Sequence, residues 1–442
     1  MNSTRGALSK GPPLFLLYLA LQALVVADIP PGLWHDSPSY EKLNLLGAAP
    51  RLPTVPLLYT VFPTNDLRVW VQTFLAAVSW WVLASVASSL VRDVRVRWAL
   101  RIVLLALGLA SPVVNWNTTI LSESVALSLT ALLIATAINL QQRVDARSAG
   151  AFLAILLLWT FTRQAHVPMT LLVAVVLGVA AVLRRPGSRV VLAATAAGAL
   201  LIAVAGLLEV QRNQSISRTN VGSIIQVRVF PNAGWTRWFE AHGMPYSRSI
   251  AAYAGTGFQY RNENRAYFNW IDEHGTATYL RFVLTHPVYT LIDPLPFFPG
   301  EQPSVTYPRG PHYSPLQPNP TPSLLSPIVD YGRHREVLPS VIDRLLFDQG
   351  EIGDVLALLI ASVALAVYGR RRYGPDSRLV VPAVLVLGAI PFAYLVWLAG
   401  GEAVFELDRL SIITATELRV GLWIALFLGI DRVVEGRRAR AE

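Results

Sequence analysis

Short arginine clusters alternate with long apolar runs along this chain, and that alternation restricts it to a fold threaded repeatedly through a bilayer. Apolar runs of about twenty residues cross the hydrocarbon core as helices, because lipid offers no partner to an open backbone group. The clusters are Arg5/Lys10, Arg92/Arg95/Arg97, Arg143/Arg147, Arg184/Arg185/Arg189, Arg370/Arg371/Arg372 and Arg437/Arg438/Arg440. Spans read near residues 13–27, 67–91, 98–114, 119–140, 148–162, 167–183, 189–208, 350–369, 379–399 and 416–431. With the amino terminus inside, these ten spans place every cluster on the cytoplasmic side, as the positive-inside rule requires. The acidic residues are expected at the other end of the bundle.

This pattern accounts for the net charge of +9 without a polyanionic partner, so no nucleic-acid binding is expected. At 53% hydrophobic and 15% charged, the 442-residue chain is too apolar for an ordinary soluble fold. Cysteine is absent, which excludes thiolate chemistry and disulfides. The basic residues are nearly all Arg, which suggests a bacterial cytoplasmic membrane as the setting, with both termini cytoplasmic. Val25-Val26-Ala27 resembles a signal cleavage site. A retained first helix is the preferred reading, because the polar loop behind it needs an anchor.

The fold class expected is an all-α polytopic membrane protein of about ten transmembrane helices, with a mixed exoplasmic domain between helices 7 and 8. Residues 1–208 supply helices 1–7 and an outer loop at 28–66; residues 209–348 form the exoplasmic domain; residues 349–442 supply helices 8–10. The stretch 148–183 is read as a hairpin. A single crossing would put Arg143/Arg147 and Arg184/Arg185 on opposite sides, whereas a turn at Thr162–Pro168 keeps both inside and faces Arg163 and His166 outward. In the exoplasmic domain a helix is expected from Tyr260 to His274. A second, Ala277 to Ile292, is broken at His286-Pro287 and is expected to lie in the membrane interface. Pro294 to Pro327 is dense in proline and reads as an extended loop. Trp235, Trp238, Phe239 and Tyr246 could stack on a sugar, but a small domain needs such aromatics for its own core.

Two outward segments carry the residues suited to chemistry. The first loop holds Asp36-Ser37-Pro38-Ser39-Tyr40 and then Arg51-Leu52-Pro53. The other runs Asn115-Trp116-Asn117-Thr118-Thr119-Ile120-Leu121-Ser122-Glu123-Ser124, with Glu123 in the first turn of a span. A carboxylate there is favoured by the helix dipole, yet an ionisable group at the membrane edge marks function more often than mere capping. For Asp36 a turn-forming role and a chemical one stand equal. Arg163, Arg409 and Arg419 are outward cations that could hold a phosphate. Alternatively, they snorkel or pair locally, as Arg409 could with Glu406 or Asp408.

Taken in order, these segments resemble the GT-C superfamily of multispanning glycosyltransferases, the group that includes protein O-mannosyltransferases and the lipid A aminoarabinose transferases. The likeness rests on the Asp-Ser-x-x-Tyr setting of Asp36, the approach Arg51 to Tyr59, the Ser122-Glu123-Ser124 opening, the turn Thr162-Arg163-Gln164, and an echo at Thr285-His286-Pro287. It covers residues 12–185 in order and the rest in outline. It implies a polyprenyl-phosphate-linked sugar donor and a glycan, lipid or protein acceptor. Asp36 would be the base, and Glu123 would assist it or hold a divalent cation. Tyr40, Arg51, Asn117, Arg163, His166, Arg409 and Arg419 would bind substrate. Where many members have paired acids in the first loop, Asp36 has none beside it and Glu41 is five positions away, which leaves a metal requirement open.

Placement outside the cytoplasm supports this independently. An exoplasmic site has no ready supply of nucleotide sugars, so its donor must be lipid-linked. A prenyl phosphate already leaves well, and the enzyme's task reduces to deprotonating a hydroxyl and neutralising the departing phosphate. The alternatives are a transporter or flippase of a lipid-linked intermediate, or a non-catalytic membrane subunit. A translocation path would call for polar groups near mid-membrane, and the mid-span positions are nearly free of charge, as in the fourth span after Glu123 and in the sixth and seventh.

Overall fold

The computed structural model describes residues 11–34, 36–41, 43–44, 51–184, 186–212, 220–252, 254, 264–297, 323–327, 332–347, 352–399 and 407–441. Arg5, Lys10, Arg185, the start of the helix expected from Tyr260, and most of the Pro294–Pro327 stretch lie outside them.

The chain is helical, with no strand among the described residues. Its helices, apart from a one-turn piece at Arg248–Ala251, include α1 (Gly11–Val26), α2 (Thr54–Val61), α3 (Asn65–Ser88), α4 (Val94–Leu107), α5 (Ser111–Val114), α6 (Glu123–Gln142), α7 (Ala146–Thr160), α8 (His166–Leu183) and α9 (Pro186–Arg212). After them come α10 (Ala233–Ala241), α11 (Arg265–Trp270), α12 (Thr276–Thr285), α13 (Ser340–Leu346), α14 (Gly353–Tyr373), α15 (Val380–Ala399) and α16 (Leu407–Ala441). Seven of these, α3, α6, α8, α9, α14, α15 and α16, are long and apolar enough to cross a membrane. Val94–Leu107 and Ser111–Thr118 form a further candidate span bent by 49°. The remaining expected spans are shorter apolar helices, α1 and α7. At 1.5 Å per residue, the 15 residues of α7 fall short of a ~30 Å core.

Local chemistry sets the boundaries. Asp93 caps α4 by accepting from the Arg95 and Val96 amides at 2.9 and 3.1 Å, and Asp145 caps α7 through the Ser148 amide at 2.8 Å. Gly374, at φ +85°, ends α14 and donates back to the Arg370 carbonyl. The α7–α8 hairpin is closed by a 2.7 Å hydrogen bond between the hydroxyls of Thr160 and Thr170. A continuous helix would hold those residues about 15 Å apart along its axis. In the core, α3 packs on α1, α4 and α6, while α16 packs on α4, α6, α14 and α15. Exposed aliphatic side chains such as Val175, Val179, Leu201, Ile360 and Leu387 line the outward faces of the long helices, as a lipid-facing surface requires.

The segment after α9 is built of short helical turns. Arg265–Trp270, the π turn Ile271–Gly275 and Thr276–Thr285 follow one another directly, so the two expected helices are one run that stops at His286-Pro287. Proline lacks the amide needed to continue. Leu280, Leu284, Val288, Leu291 and Ile292 are exposed along its outer side, as an interface-lying segment would have them. Phe239, Phe282 and Tyr289 are fully buried and interlock with Trp235, Trp238 and Trp397, so these aromatics form the core of the segment and its seat on α15.

Two expectations are corrected. The last span, expected near 416–431, begins earlier: α16 already runs from Leu407. No glycine or proline interrupts residues 407–420, and Arg409 and Arg419 are both satisfied inside the protein, so the helix continues through them. Acidic residues also occur at the Arg-rich end. Buried Asp431 accepts from the Arg92 and Asp93 amides at 3.1 and 2.8 Å and from Arg378 at 2.7 Å. Asp376 binds Arg378 at 2.7 Å and Arg432 at 2.8 Å, and Arg438 meets Asp93 at 2.7 Å. This network staples the α3–α4 and α14–α15 turns to the far end of α16. Burial works to raise the Asp376 pKa, but hydrogen bonds from the Arg378 side chain and amide and from Arg432 outweigh it and hold the group at about 2.

Candidate active site

At the end of the bundle opposite this staple, a β-bridge ties the first loop to the turn before α6. The Gly32 amide donates to the Thr118 carbonyl at 2.7 Å, and the Ile120 amide donates to the Gly32 carbonyl at 2.9 Å. Buried polar groups hold the same turn from behind. The Tyr59 hydroxyl shares its one hydrogen between the Gln72 side-chain oxygen at 2.7 Å and the Leu121 carbonyl at 2.9 Å, and the Gln72 amide donates to the carbonyls of Asn117 and Thr119. Asn117 accepts from the Ser124 hydroxyl at 2.7 Å and donates to Gln22 of α1 at 3.3 Å. Every one of these groups is buried, so each lost bond would leave a costly unpaired atom. The turn is rigid, and it carries Glu123.

Glu123 is 0% exposed and lies against two guanidiniums: Arg409 Nε at 2.6 Å and Arg163 Nη2 at 3.3 Å. Arg409 Nη1 also donates to Asp36 Oδ2 at 3.0 Å, and the other Asp36 oxygen meets Arg51 at 2.6 Å. The result is a chain of alternating charge, Arg51–Asp36–Arg409–Glu123–Arg163, drawn from the first loop, α6, the α7–α8 turn and α16. Three cations meet two carboxylates, so the cluster carries one surplus positive charge. Arg51 also donates to the Ser39 hydroxyl at 2.7 Å and stacks over the Tyr40 ring at 4.7 Å, while the Tyr40 hydroxyl reaches Ser122 at 3.1 Å. Asp36, 20% exposed, is the more accessible carboxylate.

The cluster opens on a cavity of about 270 Å³. Asp36, Tyr40, Arg51, Arg163, His166 and Arg409 line its polar side. Its other walls are apolar: Val210 of α9, Phe392, Leu395, Val396 and Ala399 of α15, and Leu410 and Ile413 of α16. The cavity thus lies between the α8/α9 pair and the α15/α16 pair, with charge at one end and aliphatic surface beside it.

The structure therefore gathers Asp36, Glu123, Tyr40, Arg51, Arg163, His166 and Arg409 in one place. Two expected substrate-binding residues are elsewhere. Arg419 donates to the Leu325 carbonyl at 2.6 Å and to Ser326 at 2.8 Å and stacks on Phe347, so it braces the segment 323–327. Asn117 is spent on positioning the turn. Arg409 reaches across the bundle to Glu123 and Asp36; Glu406 and the Asp408 side chain lie outside the described residues. Ser122, Gln164, Asn220 and Phe392 also line the site. Of these, Ser122 and Gln164 stood within motifs legible in the sequence, and Asn220 and Phe392 did not.

A divalent cation on Asp36 and Glu123 would have to fit among three guanidiniums already engaged with both Asp36 oxygens and with Glu123 Oε1. Coulomb repulsion disfavours that arrangement. No group of three or more His, Asp or Glu suited to a metal occurs among the described residues. As arranged, these residues do not fit the ion.

No protein-family model matches this chain, and no curated protein sequence does. Among solved structures it is similar to the archaeal oligosaccharyltransferase AglB from Archaeoglobus fulgidus, in complex with an inhibitory peptide and a dolichol-phosphate. Identity is 11% over 98% of this chain, at a TM-score of 0.45. The chain spans about half the length, 51%, of that protein. So remote a likeness assigns no activity, and the functional reading rests on the geometry of the site itself.

Proposed function

We propose that the protein is a glycosyltransferase that moves a sugar from a polyprenyl-phosphate donor to a cell-envelope acceptor at the outer face of the cytoplasmic membrane. The observation that carries this reading is the Arg51–Asp36–Arg409–Glu123–Arg163 chain at the mouth of a cavity with aliphatic walls. A prenyl phosphate has this division of character, an anion on an apolar tail. Its phosphate would meet Arg51 and Arg409, whose planar groups suit phosphate oxygens, and its first isoprene units would lie against α9, α15 and α16.

Asp36 is the general base in this reading. It removes the proton from the acceptor hydroxyl as the oxygen attacks the anomeric carbon and the prenyl phosphate departs with the bonding electrons. In the resting site its two oxygens are engaged by Arg51 and Arg409. A phosphate drawing on those same guanidiniums loosens their hold on Asp36 just as the donor arrives. Glu123, fully buried, keeps Arg409 and Arg163 in place and acts through them.

The transporter reading has one observation to draw on, Glu417 within α16, since carboxyls inside a span mark ion or substrate paths. Glu417 does not line the cavity, whereas Asp36 does. The deciding experiment supplies membranes with a radiolabelled polyprenyl-phosphate sugar. The parent protein should transfer label to envelope acceptors and Asp36→Asn should not. Equal transfer by both would sink the reading.

A further inference from the structure

We propose that Arg163 and His166 form a second, hydroxyl-reading subsite in the same cavity, separate from the phosphate end and recognising a single sugar hydroxyl. The inference rests on the glycosyl-transfer reading and adds to it which chemical group of the substrate is recognised and by what.

His166 is fully buried, and its ring cannot turn freely. It stacks on Trp159 with centroids 3.9 Å apart and planes 3° from parallel, and Phe392 meets it edge-on at 5.9 Å. Its Nδ1 lies 2.7 Å from the Trp159 carbonyl oxygen. A carbonyl can only accept, so Nδ1 carries the hydrogen. In the neutral ring Nε2 then offers a lone pair, and Nε2 is buried with no hydrogen-bond partner in the protein. Three residues earlier, Arg163 commits Nη2 to Glu123, while its Nη1 is likewise buried without a partner. Both residues line the cavity. The turn that carries them is pinned by the Thr160–Thr170 hydroxyl pair and by the His166 amide on the Arg163 carbonyl at 3.0 Å.

One unpaired acceptor and one unpaired donor, on two residues that line the same cavity, are complementary to a group that donates and accepts at one atom. A hydroxyl does this. A phosphate oxygen, which only accepts, would satisfy Arg163 but face the His166 lone pair. Buried polar atoms left unpaired are costly, and a site built around a hydroxyl rejects the analogue that lacks it. The anion thus belongs at Arg51 and Arg409, and the sugar extends toward the α7–α8 turn.

The test uses the purified full-length protein and farnesyl phosphate, alone and carrying a pentose or hexose. The tightest-binding sugar is remade with each hydroxyl replaced in turn by hydrogen. In the parent, loss of one particular hydroxyl should weaken binding on the order of 10- to 100-fold, and farnesyl phosphate alone should be unaffected by changes at His166. Two variants separate a recognition role from a structural one. In His166→Asn the amide N–H can replace Nδ1 toward Trp159 but nothing replaces Nε2, so the dependence on that hydroxyl should vanish while farnesyl phosphate still binds as it does to the parent. In His166→Gln the longer side chain can place its carbonyl oxygen near Nε2, and most of the dependence should return. If no single hydroxyl matters in the parent, or if Asn and Gln behave alike, the subsite is refuted although the phosphate site stands. If farnesyl phosphate itself does not bind the parent, the glycosyl-transfer reading falls and takes this subsite with it.

Discussion

Arg409 and Glu123 meet at 2.6 Å although 286 positions separate them. This pair fastens the start of the last helix to the start of α6, and the same guanidinium donates to Asp36 at 3.0 Å. The proposed catalytic geometry and the packing of the helix ends therefore share one side chain, and the consequences can be separated by substitution.

Asp36→Asn removes the proposed base while keeping a polar group of the same shape, whose one remaining oxygen can accept from either Arg51 or Arg409. General-base loss typically costs about 10²- to 10⁴-fold in rate. Transfer from a radiolabelled lipid donor should fall by that order. Thermal unfolding in detergent should shift little, because Asp36 is partly exposed and exposed pairs stabilise by at most about 1 kcal/mol.

Glu123→Gln should behave differently. It leaves the buried guanidiniums of Arg409 and Arg163 without their counter-charge, and breaking a buried pair from one side costs roughly 3–5 kcal/mol. Both unfolding temperature and transfer should fall. Adding Arg409→Met should recover part of the stability and none of the transfer, since an apolar side chain of similar reach no longer strands a charge. Restored activity in the double variant would contradict the role given to Arg409.

The staple at the opposite end has a pH signature. Asp376 is held at about 2 in the folded protein, below its ordinary value of 3.8. A depressed carboxylate adds stability that is fully present above the unfolded pKa and is lost as pH falls through the folded one. That contribution is roughly 1–2 kcal/mol once solvent screening is allowed for. Asp376→Asn should thus be less stable than the parent at pH 7. The difference should fade between about pH 4 and pH 2, and a gap that persists unchanged at pH 2 would rule out this origin.

Gly332 sits where a larger residue has no room. A Cβ there would collide with the Asn115 carbonyl and with the hydroxyls of Thr118 and Thr119, while the Gly332 amide donates to Asn115 at 2.7 Å. Gly332→Ala should push the 115–122 turn and lower stability by about 1–3 kcal/mol. Because that turn leads into Glu123, transfer should drop with it, measured on variant and parent at a temperature where both are folded.

By itself the sequence determined the threading. Apolar length and Arg parity placed every span near its observed helix, and the parity argument required the reversal at Thr162–His166 that the Thr160–Thr170 contact confirms. It also put Asp36 and Glu123 at one end, since helix direction alone dictates which termini are neighbours. What tertiary packing decided was pairing. Local sequence offered Arg409 the choice of Glu406 or Asp408, and it treated Arg419 and Arg409 alike. A buried guanidinium goes to whichever acceptors the packed helix ends bring within about 3 Å, and here those were Glu123 and Asp36 for one and the 325–326 backbone and hydroxyl for the other. The acids at the Arg-rich end escaped notice for the same reason. Asp376, Asp431 and Asp93 read as isolated charges along the chain and become a network only when α16 returns to the turn between α3 and α4.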